Sequence, residues 1–271
     1  MGKFDGKVAI VTGAGRMRGI GRSVALAFAQ EGAGVTVTGT GRDPSTFPLD
    51  EREAGWRDVD SVAAEIQEMG RGALPLVVDV SRADDVQRMV DGTLERFGRI
   101  DFLVNNAAAP RMAAWAPLPE LPPEAWQRVF DIKVTGTFLC TRAVSEVLVR
   151  QGQGGSIVNV ISIEAKISRD QDVAYATASG ALYTFTAKGG RSLASHGIRM
   201  NAVSPGVTDT SRNDALYGYP RDDKWQNRVR QIPIGRAATP EEPANLIAWL
   251  CSDEAHMIVG KCIEMDGGHA S

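Results

Sequence analysis

The stretch that decides the fold is Val8–Gly21, VAIVTGAGRMRGIG, near the start of the chain. A short apolar run, Val8–Val11, leads into a glycine-rich turn, and an amphipathic helical pattern follows it. A strand that turns on glycines into a helix directs several backbone N–H groups, and the positive end of the helix dipole, at one point, which suits a phosphate. A plain loop would also explain the glycines, but the order of strand, turn and helix predicts a dinucleotide site.

The glycines of this turn have separate expected tasks. Gly13 allows the tight turn, Gly19 lets the backbone approach a pyrophosphate, and Gly21 lets the helix pack closely on the strand. Ile20 lies between the last two and is expected to share the cofactor contact. Five residues, 14–18, separate Gly13 from Gly19, which is an irregular spacing.

Composition bounds the class of protein. The chain has 271 residues, 43% hydrophobic and 23% charged, with a net charge of −3, so neither nucleic acid nor an anionic membrane is expected as a partner. No apolar run reaches about 18 residues, and no signal peptide precedes the first strand. Three scattered cysteines without a C-x-x-C pair fit a reducing compartment, and the three histidines lack metal-ligand spacing. We therefore expect a cytoplasmic protein without a metal.

Apolar runs alternate with helical patterns along the whole chain. The predicted strands are Val8–Val11, Val35–Thr38, Leu74–Val78, Phe102–Val104, Ile157–Ile161, Met200–Val203 and Cys262–Met265. The clearest predicted helices are Val59–Met69, Ala83–Phe97, Glu124–Arg150, Val173–Ser195 and Glu241–Cys251. Such alternation predicts a doubly wound parallel sheet of about seven strands with helices on both faces. No linker or repeat divides the chain, so residues 1–271 are expected to form one domain.

The end of the second strand bears on the choice of cofactor. An acid at this position would hydrogen-bond a free 2′-hydroxyl and repel a 2′-phosphate, but the residue here is Gly39. Thr40 and Arg42 follow, and Arg18 in the first loop is a second cation within reach. These residues favour NADP(H) over NAD(H). The alternative is that both arginines are solvated surface residues.

Residues 42–57 predict a long loop because Pro44 and Pro48 interrupt any periodicity. It is either a surface excursion or a flap over the adenosine end of a cofactor, anchored by Trp56. Further residues expected beside the cofactor end the third and fourth strands: Asp79, Val80, Asn106 and Ala107.

Three other residues bear on chemistry. Lys133 shares a helical stripe with apolar residues, so it either extends to water or is buried. Ser162 ends the fifth strand, on the side where open α/β sheets bind ligands. Tyr175 follows thirteen residues later on a helix. By themselves, Ser162 could cap a loop and Tyr175 could be a core residue.

Together these motifs resemble the classical short-chain dehydrogenase/reductases, and the resemblance covers nearly the whole chain. It rests on the glycine turn, Asn105-Asn106-Ala107, Ser162, Tyr175 and the segment from Asn201 to Gly206. The resemblance implies a single-domain Rossmann-type fold and an NAD(P)(H)-dependent oxidoreductase for an alcohol–carbonyl pair. It implies that Ser162 holds the substrate oxygen and that Tyr175 is the general acid and base.

Two positions depart from the family pattern. The family lysine that lowers the tyrosine pKa stands four residues after the tyrosine, where this chain has Ser179. The family asparagine on the preceding helix is Lys133 here. A lysine stem of about 6 Å could bring the Lys133 ammonium to the place left free, so we expect charge moved from position 179 to position 133. Two alternatives are a non-redox enzyme of this fold and a dinucleotide-binding or assembly protein with little turnover.

The resemblance carries further expectations for the C-terminal third. It implies cofactor contacts from Pro205, Gly206, Thr208 and Thr210. The segment 207–236 is expected to be a substrate lid, with its aromatic residues facing either a partly apolar substrate or a subunit interface. Family analogy also implies a homo-oligomer, a tetramer or a dimer. The substrate itself, a small carbonyl compound or alcohol, cannot be named from the sequence.

Overall fold

A single parallel sheet organises the protein, as seen in a computed structural model that describes residues 2–167 and 171–270, the side chain of Arg111 excepted. Its strands are β1 (Val8–Val11), β2 (Gly34–Gly39), β3 (Ala73–Val77), β4 (Phe102–Asn105), β5 (Gly155–Val160), β6 (Ile198–Pro205) and β7 (Cys262–Met265). Their spatial order is β3-β2-β1-β4-β5-β6-β7, and every neighbouring pair is parallel. The predicted doubly wound, single-domain α/β fold is confirmed.

The helices pack on both faces of this sheet. They are α1 (Ile20–Gln30), α2 (Leu49–Glu53), α3 (Val59–Glu68), α4 (Ala83–Phe97), α5 (Pro123–Phe130), α6 (Gly136–Gln151), α7 (Val173–Leu193), α8 (Asp214–Tyr217), α9 (Asp223–Val229) and α10 (Glu241–Cys251). One core cluster joins α1, α3 and α10 to the sheet, and a second joins α4, α6 and α7 to it. Within the described residues, no helix has both the length and the apolar character that crossing a membrane requires.

Strands buried from both sides read as nearly continuous apolar runs. All four residues of β1 are buried, and so are all four of β4. Thr36 of β2 is a buried polar residue that has a partner, since its hydroxyl lies 2.9 Å from the Thr93 hydroxyl of α4. The apolar runs of the sequence therefore correspond to the buried strands of the sheet.

The predicted helix 124–150 differs from the observed one in its centre. Between α5 and α6 the chain forms a π-helical turn, Asp131–Thr135, and the Gly136 N–H that follows it bonds the Asp131 carbonyl, five residues earlier. Lys133 is the middle residue of this turn. Turns of this kind contain one residue more than α-helical pairing needs, and they occur frequently at functional sites.

The predicted loop 42–57 contains regular structure, which the positions of its prolines did not indicate. A short 3₁₀ turn, Pro44–Thr46, is followed by the helix α2. Pro48 precedes the first residue of α2, where a proline ring does not obstruct a helix. The expectation of an irregular loop was therefore wrong for these residues.

Candidate active site and cofactor cleft

The glycine-rich loop lies where the strand order reverses, between β1 and β4, at the carboxyl ends of both strands. Gly13 has φ +66°, and a Cβ on it would lie 2.8 Å from the Cα of Ala107. The Asn106 side-chain amide donates to the Gly13 carbonyl at 2.9 Å. A Cβ on Gly21 would lie 2.5 Å from that same amide nitrogen. Close packing of β1, β4 and α1 thus depends on glycine, as the sequence predicted.

A cavity of about 310 Å³ opens in front of this loop. The predicted cofactor residues that line it are Gly13, Gly19, Ile20, Gly21, Thr40, Arg42, Asp79, Val80, Asn106, Ala107 and Thr210. Its charged lining residues are Arg16, Arg42, Arg128, Arg212, Asp58 and Asp79. The arginines outnumber the acids even when Glu51, which pairs with Arg42 behind the wall, is included, and this positive charge suits an anionic ligand. The first turn of α1 contains no acidic residue, so its positive end stays available for a phosphate.

Arg18 does not lie in the wall of this cavity. Its Nε contacts Asp50 at 2.6 Å, and a terminal nitrogen contacts Asp214 at 2.6 Å. The ring of Tyr219 lies 3.6 Å from the guanidinium carbon. Arg18 therefore joins three separate segments of the chain. The structure does not bring this predicted cofactor residue to the region expected for the adenosine ribose.

Arg42 lies in the cavity wall, but other groups already hold its guanidinium. One terminal nitrogen contacts the Glu51 carboxylate at 2.9 Å, and the other donates to the Gly15 carbonyl at 3.0 Å. Glu51 is completely buried and also accepts from the Met17 N–H at 2.9 Å. The Arg42–Glu51 pair thus fastens residues 42–51 to the glycine-rich loop.

Asp58 is a cavity residue that the sequence analysis did not identify. Its backbone has φ +52° and ψ −129°, a conformation that costs a residue with a Cβ about 1–3 kcal/mol. The residue is 7% exposed, and one carboxylate oxygen accepts from the backbone N–H of Arg42 at 3.1 Å. The other oxygen has no hydrogen-bond partner among the residues that the structure describes, and it lies against Gly15 and Gly39. A carboxylate therefore stands beside Gly39, where the sequence predicted none.

Trp56 connects the segment 42–58 to the glycine-rich loop. Its indole N–H donates to the Gly15 carbonyl at 2.7 Å, and the Arg22 guanidinium lies 5.6 Å from its ring centroid. Of the two interpretations of this segment, a surface excursion and an anchored flap, these contacts favour the flap.

At the end of β3, Asp79 keeps its charge despite partial burial. Burial alone would raise its pKa, but hydrogen bonds from Ser81 and the charge of Arg128 together hold the pKa below its ordinary value. The Arg128 guanidinium lies 3.5 Å from the carboxylate. Val80, the next residue, is buried in the cavity wall.

Ser162 and Tyr175 lie outside the large cavity. Ser162 caps a short 3₁₀ turn, Ile163–Ala165, and its hydroxyl accepts from the Glu164 N–H at 3.2 Å. It lines a second, smaller cavity of about 40 Å³ together with Tyr217. Tyr175 is half-buried in the first turn of α7, the helix against which this 3₁₀ turn packs.

Lys133 is buried, which decides between the two interpretations of its helical stripe. Its side chain is 1% exposed, and its Nζ donates to the Val160 carbonyl at 3.3 Å. The Nζ lies 4.6 Å from the centroid of the Tyr175 ring. Burial lowers the pKa of Lys133, whereas the charge of Tyr175 acts to raise it.

Ser179 lies one helical turn after Tyr175 and is completely buried. Within the described part of the chain, its hydroxyl has no hydrogen-bond partner. A small side chain at this position leaves room for the Lys133 ammonium to approach the tyrosine from the opposite element.

Arg212 is a second cation beside Tyr175, and the sequence analysis missed it. Its guanidinium carbon lies 4.4 Å from the centroid of the Tyr175 ring. It also lines the large cavity, and one terminal nitrogen donates to the Ala109 carbonyl at 3.2 Å. Only its place two residues after Thr210, in a segment predicted to meet the cofactor, could have drawn attention to it.

The segment after β6 borders both cavities. Thr210 lines the large one, and Gly206 the small one. Thr208 is buried, and its hydroxyl bonds the Gly206 carbonyl at 3.2 Å, while Pro205 ends β6 and is buried too. Of the aromatic residues farther along, Tyr217 packs edge-on against the buried Trp225 at 5.4 Å between centroids.

Comparison with known proteins agrees with this architecture. Residues 13–270 match the family model described as enoyl-(acyl carrier protein) reductase, a short-chain dehydrogenase family. The cis-4-hydroxycyclohexanecarboxylate dehydrogenase of Sinomonas cyclohexanicum is 36% identical, over 99% of this chain and 98% of its own length. A 3-oxoacyl-[acyl-carrier-protein] reductase of Synechocystis is 35% identical, over 99% and 98%. The crystal structure of NAD⁺-bound xylitol dehydrogenase superposes with a TM-score of 0.84 at 30% identity, over 98% and 100%.

The chain therefore belongs to the short-chain dehydrogenase/reductase family. It is an NAD(P)-dependent oxidoreductase that acts on an alcohol–carbonyl pair.

Proposed function

We propose that this oxidoreductase works with an altered catalytic set, in which Tyr175 is the general acid and base, Ser162 holds the substrate oxygen and Lys133 replaces the family lysine. The observation that supports it most is the buried Lys133 Nζ, 4.6 Å from the Tyr175 ring centroid. A bound nicotinamide supplies or accepts the hydride at the substrate carbon. The protein's task is then to move one proton between Tyr175 and the substrate oxygen.

The need for a cation follows from the chemistry of phenols. A free tyrosine has a pKa of about 10, so little phenolate exists at neutral pH. A cation within about 4–6 Å favours the phenolate and lowers that pKa by about 1–3 units. Ser179 carries no charge, so the cation has to come from another position. Because burial makes a lone ammonium at Lys133 costly, a phenolate beside it stabilises both charges.

The large cavity fits a nicotinamide dinucleotide. The glycine loop leaves no space for side chains at Gly13 and Gly21, and its backbone borders a cavity with surplus positive charge. In this arrangement Gly19, Ile20 and Gly21, at the start of α1, would hold the diphosphate. Asn106 and Ala107 would lie along the nicotinamide half, and Asp79 and Val80 beside the adenine.

We propose NADP(H) in preference to NAD(H), on the basis of Gly39, Thr40 and Arg42. Arg16 adds a half-buried guanidinium in the same wall, and it takes the place that the sequence assigned to Arg18. Asp58 acts in the opposite direction, since its carboxylate would repel a 2′-phosphate. The difference in affinity between NADP(H) and NAD(H) is therefore expected to depend on Asp58.

The segment 207–236 is proposed as the substrate lid. Tyr217 supports this role, because it borders the small cavity that also contains Ser162. Tyr219 instead packs on Arg18, and Trp225 is buried, so Tyr217 is the aromatic residue proposed to touch the substrate. A homo-oligomer and a cytoplasmic location stay predictions.

The test of the altered catalytic set uses two variants. Lys133→Ala should lower turnover at least about tenfold and move the pH optimum upward, because loss of the cation raises the pKa of Tyr175. The double variant Lys133→Asn with Ser179→Lys restores the family pattern and should recover activity that Lys133→Asn alone lacks. The assay is NADPH or NADH oxidation over a panel of aldehydes, ketones and quinones.

Two outcomes would contradict the proposal. Unchanged turnover in Lys133→Ala would remove Lys133 from the mechanism. Cofactor binding by the unaltered protein without oxidation across the panel would favour a non-redox enzyme or a binding protein.

A further inference from the structure

Two cations from different elements lie beside the ring of Tyr175. Lys133, in the π-helical turn, has its Nζ 4.6 Å from the ring centroid. Arg212, in the 3₁₀ turn Ser211–Asn213 after β6, has its guanidinium carbon 4.4 Å from the same centroid. The two charges are close enough to oppose each other, since the charge of Arg212 acts to lower the pKa of Lys133.

The two cations differ in how firmly they hold their charge. A guanidinium stays protonated at every pH of biochemical interest, whereas an ammonium loses its proton readily when it is buried. Lys133 is 1% exposed, while Arg212 is half-buried and reaches the cofactor cavity. Arg212 is therefore the permanent charge of the pair.

The position of Arg212 is held from two sides. Its guanidinium donates to the Ala109 carbonyl at 3.2 Å, just after the end of β4. The preceding residue, Ser211, donates its backbone N–H to the Arg18 carbonyl at 2.9 Å. The turn that carries Arg212 is thus tied to the glycine-rich loop, and the guanidinium lies between the cofactor cavity and Tyr175.

We propose that Arg212 supplies the second, permanent cation that stabilises the phenolate of Tyr175 during proton transfer. The inference rests on the proposed role of Tyr175 as acid and base. In reduction, the O–H bond of Tyr175 breaks and an O–H bond forms on the substrate oxygen, while a reduced nicotinamide provides the hydride for the carbon. The phenolate left behind is the charge that Arg212 and Lys133 hold, and oxidation runs the same transfer backwards.

Other charged groups also lie near Lys133, Arg212 and Tyr175. Asp172, at the N-terminus of α7, is buried, and its charge favours the ammonium form of Lys133. Burial lowers the pKa of Arg16, across the cavity, and the charges of Arg42 and then Arg212 lower it further. Tyr175 therefore faces Lys133 from the π-helical turn and Arg212 from the segment after β6, with Asp172 on its own helix.

The test compares Arg212→Met with Arg212→Lys, and uses Arg230→Met as a matched control. Arg230 is an exposed arginine of the same segment, 207–236, and lines neither cavity. Ionisation of Tyr175 is followed by the ultraviolet absorbance of tyrosinate in the cofactor-free protein, with Tyr175→Phe as the background. We expect Arg212→Met to raise the pKa of Tyr175 by about one unit or more, Arg212→Lys to restore part of the difference, and Arg230→Met to leave it unchanged.

The same variants give a second readout in the pH profile of alcohol oxidation, whose rising limb should move upward with the Tyr175 pKa. An unchanged Tyr175 titration in Arg212→Met would overturn the inference. If the titration is unchanged but Arg212→Met binds the cofactor more weakly, Arg212 is a cofactor ligand only. If the titration is unchanged and the variant binds the cofactor more tightly, Arg212 obstructs the cofactor. Because the titration needs no turnover, it separates this inference from the proposed function, which fails if Tyr175→Phe keeps full activity.

Discussion

In the proposed catalytic set, Lys133 supplies to Tyr175 the positive charge that the family lysine would supply from the position of Ser179. The family lysine would reach Tyr175 from within α7, one turn away along the same helix. Lys133 reaches the ring from the π-helical turn that packs beside α7 and leaves Ser179 small and buried. Electrostatic stabilisation depends on distance and dielectric environment and not on the element that carries the charge, so the two arrangements can be equivalent.

Asp58 is the residue on which the choice of cofactor is expected to depend. Asp58→Asn removes the charge beside Gly39, keeps the shape, and retains a side chain that tolerates positive φ. Repulsion of a 2′-phosphate then disappears, so affinity for NADPH should rise relative to NADH by at least about tenfold, or ~1.4 kcal/mol. Calorimetric titration of both cofactors measures the ratio. A ratio equal to that of the unaltered protein would mean that Asp58 only braces Arg42.

At the scale of the elements, the flap formed by residues 42–58 makes several polar contacts around the glycine-rich loop. The Arg42–Glu51 pair, Asp58 and the Trp56 indole all contact the glycine-rich loop or its immediate neighbours. Because the loop backbone would hold the diphosphate, the conformation of this flap and the geometry of the phosphate site are coupled.

Trp56→Phe tests that coupling at the level of the element. The change keeps an aromatic ring but loses the hydrogen bond to the Gly15 carbonyl, which is worth about 0.5–1.5 kcal/mol. The dissociation constant for the cofactor should rise about 2–10-fold, with turnover at saturating cofactor unchanged. Trp249→Phe, in α10 and packed against the same core cluster as Trp56, is the matched control. Equal effects of both substitutions would point to general loosening of the protein instead.

At the scale of the whole molecule, burial of Lys133 lowers the free energy of unfolding. Burial lowers the pKa of Lys133 below its ordinary 10.5, so the unfolded chain binds a proton that the folded chain gives up more easily. Stability lost through this group is small above pH 10.5 and grows as the pH falls below it. Removing the amine while keeping an apolar stem should therefore stabilise the protein.

Lys133→Met is expected to raise the melting temperature by at least about 2 °C near neutral pH, while activity falls. The gain over the unaltered protein should shrink as the pH rises through 10.5, because well above that pH the amine is neutral in both the folded and the unfolded state. Calorimetry at several pH values measures it. A lower melting temperature at neutral pH would show that the contacts of the Lys133 amine outweigh its desolvation.

How far the sequence predicts this molecule depends on the range of the interactions concerned. The seven strands follow from local apolar runs, and Gly13 follows from its place between a strand and a helix. Ser162 and Tyr175 were predicted through the resemblance to the short-chain dehydrogenase/reductases. The partners of Arg18 do not, because Asp50 and Asp214 are 32 and 196 residues away. Asp58 and Arg212 reach the site through loop conformations that no periodicity encodes, so only the structure reveals them.

The ion pairs of Arg18 connect two segments that are far apart in the sequence. They join Asp50 of the flap to Asp214, two residues beyond Arg212, and Arg221 adds a contact of 2.8 Å to the same aspartate. Because Arg18 lies outside the wall of the large cavity, these contacts join the flap to the segment after β6 without occupying the cavity. The flap and the proposed lid are thus mechanically connected through one guanidinium, so a displacement of either segment would be transmitted to the other.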